Sequence, residues 1–226
     1  MDKRLIWTIV VLTGGYVFAQ AVADVAATKL IQVGRFAVPA GTMIFAVTFT
    51  LRDMIHKRLG KEWAQAVIWM AAAFNLAMAL YLWAVAALPA PEFYPFAESW
   101  SAIFSFVPAI VVASIVAELA AELIDTEVYQ WWRIRYAQRP QWTRVLASNA
   151  ISLPVDSILF ASLAFVLLPP LFGNPGLPLA ALPPIIAGQI VLKAIVTLAS
   201  LPLIYTVKEQ PLQLVALPVQ ANQPIG

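Results

Sequence analysis

The sequence predicts an all-α integral membrane protein, a bundle of six transmembrane helices with both termini in the cytoplasm. Hydrophobic residues make up 62% of the 226 positions and charged residues 12%, whereas a soluble domain has about 25% charged residues. Six apolar runs approach the ~20 residues with which a helix crosses a bilayer. Cysteine is absent and histidine occurs once, which excludes disulfides and Cys/His metal clusters, so we expect no cofactor.

The six runs are separated by short or polar connections, none long enough to form a second domain. We therefore expect one transmembrane domain over residues 1–208. The remaining tail, 209–226, is uncharged from Gln210 onward and is expected to be disordered in the cytoplasm. The runs cover approximately residues 5–28, 37–56, 64–88, 101–124, 146–168 and 184–207.

Basic residues are concentrated on one side of the predicted bundle. Eleven of the fourteen lie at the termini or in the connections after the second and fourth runs, whereas Lys29 and Arg35 lie on the other side and Lys193 lies inside the sixth run. Basic connections stay in the cytoplasm, which predicts cytoplasmic termini. The eleven are Lys3, Arg4, Arg52, Lys57, Arg58, Lys61, Arg133, Arg135, Arg139, Arg144 and Lys208.

The fifth run carries a carboxylate near its middle. Asn149 and Asp156 lie seven positions apart and share one helix face, and Pro154 frees a backbone carbonyl beside it. A carboxylate at membrane depth costs at least ~2.5–3.5 kcal/mol and usually marks a pathway. The alternative is a hydrogen bond that locks the bundle.

The fourth run places acidic residues along one face. Glu118 and Glu122 are one turn apart and repel each other when ionised, so they require a cation or a bound proton. Lys193, one turn after Gln189 in the sixth run, is the candidate cation at comparable depth. We therefore expect a pocket between the fourth, fifth and sixth helices, each kinked by a proline. These prolines are Pro108, Pro154 and Pro202.

The first run presents two stripes at a spacing of four residues. One stripe is polar and includes Gln20 and Asp24, and it could line a cavity or place Asp24 at the outer boundary of the membrane. The other consists of small residues that would let a helix approach closely, and could dock a partner. The polar stripe is Tyr16, Gln20, Asp24 and Thr28, and the small one is Ala19, Ala23 and Ala27.

The chain resembles the vitamin uptake transporter family, best known as queuosine-precursor transporters, because it carries similar short motifs in the same order. The most specific is the Ser-Asn…Asp-Ser…Phe run. The resemblance covers about 24–205 and departs at Asp24, Ala46, Phe49 and Lys57, and in having two acids at Glu118 and Glu122, which indicates a divergent branch. The motifs are Ala27–Ile31, Ile44–Gly60, Ala113-Ser with Leu123–Asp125, Arg144 through Ser148-Asn149, Asp156–Phe160 and Lys193 through Pro202–Tyr205.

The resemblance implies six helices around one small-molecule pocket and import of a 7-deazaguanine base across the inner membrane. The donor edge of such a base would meet Asp156, and its ring carbonyl would meet Lys193 or Gln189. A cationic aminomethyl substituent would meet Glu118 or Glu122, and Phe160 or Tyr16 would stack on the ring. The candidate binding residues are Asp156, Asn149, Lys193, Glu118, Glu122, Gln189, Asp24 and Gln20.

Other functions fit the residues less well. A binding subunit of an energy-coupling-factor type importer is the alternative, with its ATPase on a separate protein. An enzyme is not expected, because cysteine, a second histidine and Gly-x-Ser-Gly or Gly-x-Gly-Asp runs are absent. The aromatic and arginine-rich connection 129–144 indicates contact with the lipid bilayer rather than nucleic acid. A homo-oligomer and a separate energising module both remain open.

Overall fold

The protein is mostly helical in a computed structural model, which describes residues 3–136 and 138–207. Each of the six predicted runs contains a long helix. The helices are α1 Lys3–Ala26, α2 Thr42–Leu59, α3 Lys61–Ala86, the short α4 Ala97–Phe104, α5 Val107–Arg135, α6 Gln141–Ser162 and α7 Leu182–Ser200. The tail predicted over 209–226 lies outside the described residues.

Five stretches among the described residues are long and apolar enough to cross a membrane. They are Leu5–Ala26, Glu62–Ala86, Ala97–Trp132, Trp142–Leu167 and Leu179–Thr206. Helix α2 is not among them, because its 18 residues span about 27 Å and its second half carries Arg52, Asp53 and three basic residues in the last turn. The structure thus supports a multi-pass membrane protein with five such helices.

A β-hairpin between α1 and α2 corrects the all-α prediction. Strands β1 (Leu30–Val33) and β2 (Phe36–Pro39) pair antiparallel, with Leu30 opposite Pro39. Gly34 has a φ of 58° in the two-residue turn, a conformation that glycine adopts without strain. The second predicted helix, 37–56, therefore begins five residues too early. The Gly34-Arg35 pair between two short apolar runs was the signal for this turn.

Only one of the three prolines lies beyond the first turn of an α-helix. Pro154 interrupts α6, whereas Pro108 lies in the first turn of α5, where its missing N–H costs nothing. Pro202 lies in a 3₁₀ turn, Leu201–Thr206, that follows α7. The fourth run is interrupted just before Pro108, at Ser105 and Phe106, where α4 ends and α5 begins. Helix α5 also continues to Arg135, so part of the connection predicted over 129–144 is helical.

The small-residue stripe of α1 is used inside the protein. Ala19, Ala23 and Ala27 are all buried, and a Cβ on Gly41 would lie 2.0 Å from the carbonyl oxygen of Ala23. Helices α1 and α2 therefore meet through backbone. The stripe is not an outer surface, which overturns its predicted use as a docking site for a partner.

We expect Gly188→Ala to displace the hairpin from α7. A Cβ at position 188 would lie 2.8 Å from Phe36 Cβ and Val38 Cγ2, and overpacking of this kind costs about 1–3 kcal/mol. The thermal unfolding temperature in detergent should fall. Gly14→Ala in α1 is the matched control, because a Cβ there meets nothing within 4 Å. Equal unfolding temperatures for the two variants would contradict the close contact.

Candidate functional site

A cavity lies between the first two helices and α5, α6 and α7, below the hairpin. It is tight, because the centre of a water-sized molecule can move within only about 20 Å³ of it, which is room for about one water. Three of its polar lining residues are among those predicted from the sequence, Asp24, Gln189 and Lys193. The full lining is Ala23, Asp24, Ala27, Pro39, Gly41, Thr42, Phe45, Ser114, Phe160, Gln189 and Lys193. The predicted three-helix pocket is therefore also bounded by α1, β2 and the start of α2.

Asp24 faces the interior. Its carboxylate is buried, and Asn75 Nδ2 of α3 donates a hydrogen bond to Asp24 Oδ2 at 2.7 Å. Ser114 of α5 lies beside it in the cavity wall. Of the two positions left open for Asp24, the structure shows the one in the cavity wall, whereas Tyr16 and Gln20 of the same stripe contact Glu118 instead. Asp24 presents a hydrogen-bond acceptor to the cavity.

Lys193 and Asp156 form an ion pair between α7 and α6. The ammonium Nζ donates to Asp156 Oδ2, and their side chains are 2% and 1% exposed. The same Nζ lies 4.8 Å from the centre of the Phe45 ring, close enough for a cation–π contact. Lys193 borders the cavity, and Asp156, which lies outside the cavity lining, fixes the position of the Lys193 ammonium group.

Glu118 is held by two neutral donors of α1. Tyr16 donates its hydroxyl hydrogen bond and Gln20 its amide hydrogen bond to Glu118 Oε1, and Gln20 Nε2 also lies 3.1 Å from the Tyr16 hydroxyl. All three side chains are buried. They join α1 to α5 next to the cavity without lining it.

Glu122 is paired with Arg52, which corrects two sequence-based predictions. Arg52 was assigned to a cytoplasmic connection, and Lys193 was taken as the only cation at the depth of the glutamates. Arg52 instead lies buried inside α2, and its Nη1 donates to Glu122. The same guanidinium contacts Asp125 at 2.7 Å and Asp53 at 3.0 Å. We call Arg52, Asp53, Glu122 and Asp125 the Arg52 cluster.

Several buried polar atoms have no hydrogen-bond partner among the described residues. Gln189 Nε2, in the cavity wall, is one of them, and both amide atoms of Asn149 in α6 are others. An unpaired buried donor loses about 1–3 kcal/mol, a loss that a ligand acceptor would recover. The cavity thus offers a free amide donor, a carboxylate acceptor, an ammonium group and the rings of Phe45 and Phe160, a set suited to a small, planar, polar molecule.

All eight candidate residues are buried, but they occupy different places. Asp24, Gln189 and Lys193 line the cavity, Asp156 and Glu118 bind residues beside it, Gln20 contacts Glu118, and Glu122 belongs to the Arg52 cluster. Asn149 lies elsewhere on α6. Thr42 and Phe45 also line the cavity and were not predicted, because an apolar run does not show which of its side chains will border a cavity.

Comparison with known proteins identifies one family. A family model described as "Putative vitamin uptake transporter" matches residues 39–207, more than half of the chain. A protein named "Probable queuosine precursor transporter" from Bacillus subtilis (strain 168) is 22% identical over 150 residues, which is 66% of each chain. The chain therefore spans just under two thirds of that relative. No solved structure matches the chain.

Breaking the Lys193–Asp156 pair should destabilise the protein more than removing both charges. Asp156→Asn leaves a buried ammonium without its counter-ion, a loss of about 3–5 kcal/mol. In the double variant Asp156→Asn, Lys193→Met no charge remains, so we expect most of the stability to return. Thermal unfolding of Asp156→Asn, Lys193→Met and the double variant in detergent gives the coupling energy between the two side chains. Additive losses would show that the pair contributes no interaction energy.

Proposed function

The chain belongs to the vitamin uptake transporter family, and on that premise we propose that it imports a queuosine precursor. The substrate would be a 7-deazaguanine base such as 7-cyano- or 7-aminomethyl-7-deazaguanine, carried across the cell inner membrane. The name of the Bacillus subtilis relative supports this substrate class. The observation that carries the proposal is the complementarity between such a base and the buried groups around the cavity.

The cavity supplies partners for each edge of the base. A deazaguanine has a donor edge, made of a ring N–H and an exocyclic amine, and the carboxylate of Asp24 accepts such bonds. Its ring carbonyl needs a donor, and the unpaired Gln189 Nε2 faces the cavity. Phe45 and Phe160 offer rings for stacking on the planar base. The cavity in this structure is too small to hold the base, so binding requires its walls to move apart.

The remaining candidate residues take supporting roles in this proposal. Asp156 orients Lys193 toward the cavity instead of binding the base itself, because its carboxylate already accepts the Lys193 ammonium. Glu118 lies about 6 Å, one helical turn, along α5 from Ser114 in the cavity wall. With Asp24 assigned to the donor edge of the base, Glu118 is the carboxylate that we assign to a cationic aminomethyl group.

The family membership favours a carrier over an enzyme, and we propose that α2 completes a six-crossing topology with cytoplasmic termini. The basic residues of the termini and of two connections support this orientation. The alternative is a binding subunit that needs a separate ATPase. Uptake by cells that express this chain without any added energising module would distinguish the carrier from such a subunit.

Gln189→Leu should weaken binding of the base without harming the fold. The substitution removes a donor that has no partner among the described residues, so the protein itself loses no hydrogen bond through this atom. A lost hydrogen bond to a buried group costs about 1–3 kcal/mol, or roughly 5- to 150-fold in affinity. The measurement is equilibrium binding of 7-cyano- and 7-aminomethyl-7-deazaguanine to purified protein, with guanine and vitamins as comparison ligands.

Gln65→Leu is the matched control for this measurement. Gln65 lies in an exposed position of α3 outside the cavity, so the same chemical change should leave affinity unchanged. Equal affinities for Gln189→Leu and the unsubstituted protein would place the base elsewhere. Failure of both deazaguanines to bind would refute the proposed substrate.

Reporter fusions test the proposed topology. A reporter that is active only in the cytoplasm should give signal when it is fused to either terminus, because six crossings return the chain to its starting side. Signal from one terminus alone would show an odd number of crossings, in which case α2 does not span the membrane.

A further inference from the structure

Buried carboxyl groups outnumber buried cations along α5. Lys193 is matched by Asp156, which leaves Arg52 as the guanidinium that contacts three carboxylates. Each uncompensated buried charge costs several kcal/mol, a cost that a proton bound to one of these carboxyl groups would remove. The five carboxyl groups in this region, each at most 7% exposed, are Asp24, Asp53, Glu118, Glu122 and Asp125.

The hydrogen bonds distinguish the carboxyl groups of the Arg52 cluster. Asp125 uses both oxygens, accepting from Arg52 at 2.7 Å and from Ser152 Oγ at 3.1 Å. Glu122 accepts from Arg52 through Oε1, whereas its buried Oε2 has no partner among the described residues. Glu122 can therefore gain or lose a proton on Oε2 while it keeps its contact with Arg52.

Glu122 lies on α5 between the cavity and a groove on the surface of the bundle. On one side it borders an open groove between α3 and α5, near the start of α3, whose other lining residues are Gln65, Trp69 and the apolar Ile68, Leu119 and Leu123. On the other side Glu118 follows one turn along α5 and Ser114, in the cavity wall, one turn further, at steps of about 6 Å. Two carboxyl groups, Glu118 and Glu122, thus lie between the cavity wall and the groove.

The groups around Glu122 favour a proton over a metal ion as the coupled species. The Arg52 guanidinium touches Glu122 and repels a metal cation, and within residues 3–136 and 138–207 no group of three His, Asp or Glu side chains could hold one. The neighbouring helix α3 contributes Gln65 and Trp69, which do not titrate. The ionisable groups near Glu122 are Arg52 and Asp53 of α2, Glu118 and Asp125 of α5 and, one turn further along α2, Lys57. The ionisable groups near Glu118 are Tyr16 and Asp24 of α1 and the Asp156–Lys193 pair of α6 and α7.

We propose that the chain is a proton symporter in which Glu122, with Glu118 as the intermediate station, carries the coupled proton. The proton enters with the base through the cavity, passes from Glu118 to Glu122 and leaves through the groove at the basic end of the bundle. At least one proton moves inward with each base, and no other bond changes. This inference rests on the proposed import of a deazaguanine.

Reconstituted vesicles test the coupling directly. The probe is labelled 7-cyano-7-deazaguanine, which is neutral, so any movement of protons belongs to the protein. An inwardly directed proton gradient should raise the initial uptake rate at least tenfold, and a protonophore should remove the increase. A pH-sensitive dye inside the vesicles should record acidification when the base is added outside. Exchange of labelled for unlabelled base without a gradient reports transport independently of coupling.

Glu122→Gln should reduce the ratio of uptake with and without the gradient to about one and abolish the dye signal. Glu127→Gln, an exposed carboxylate on the same helix, is the matched control and should keep the ratio of the unsubstituted protein. A Glu122→Gln protein that keeps the full ratio would overturn the assignment. Unsubstituted protein that exchanges the base but shows neither gradient response nor acidification would overturn proton coupling and leave the proposed function intact. Absence of exchange would instead refute the proposed function itself.

Discussion

Charge burial is the constraint on which this structure depends. The ion pairs and hydrogen bonds of the buried polar groups connect every long helix to another. Asp24 joins α1 to α3, Arg52 joins α2 to α5, and Lys193 joins α7 to α6. Because a buried charge that loses its partner costs about 3–5 kcal/mol, each contact fixes the register of two helices. The apolar side chains then pack around an arrangement that the polar groups have already defined.

The polar groups divide into two regions with different composition. Around the cavity, single carboxylates are met by neutral donors or by one ammonium group, and some donors such as Gln189 Nε2 stay unpaired. In the Arg52 cluster one cation serves three carboxylates. The first region has hydrogen-bonding capacity to spare for a polar ligand, and the second has negative charge to spare. Glu118, bonded to α1, lies between the two regions.

Sequence reasoning recovered the membrane character and the family, because apolar length and short motifs are local signals. It failed where the outcome depended on tertiary partners. Arg52 looked like a loop residue because it begins a charged stretch, and only the packing of α2 against α5 shows that its guanidinium is enclosed. The hairpin was missed because its strands have only four residues each, and the close packing of β2 on Gly188 of α7 is a tertiary contact.

The contact between Gly41 and Ala23 has a mechanical consequence for opening the cavity. The two helices meet there through backbone atoms, with no side chain between them that could change rotamer. Sliding of α1 along α2 would drive rigid peptide groups into each other, so we expect the two helices to move together as one rigid unit. Both residues also line the cavity. Its walls must therefore separate along the seams where flexible side chains meet, on the α5 to α7 side.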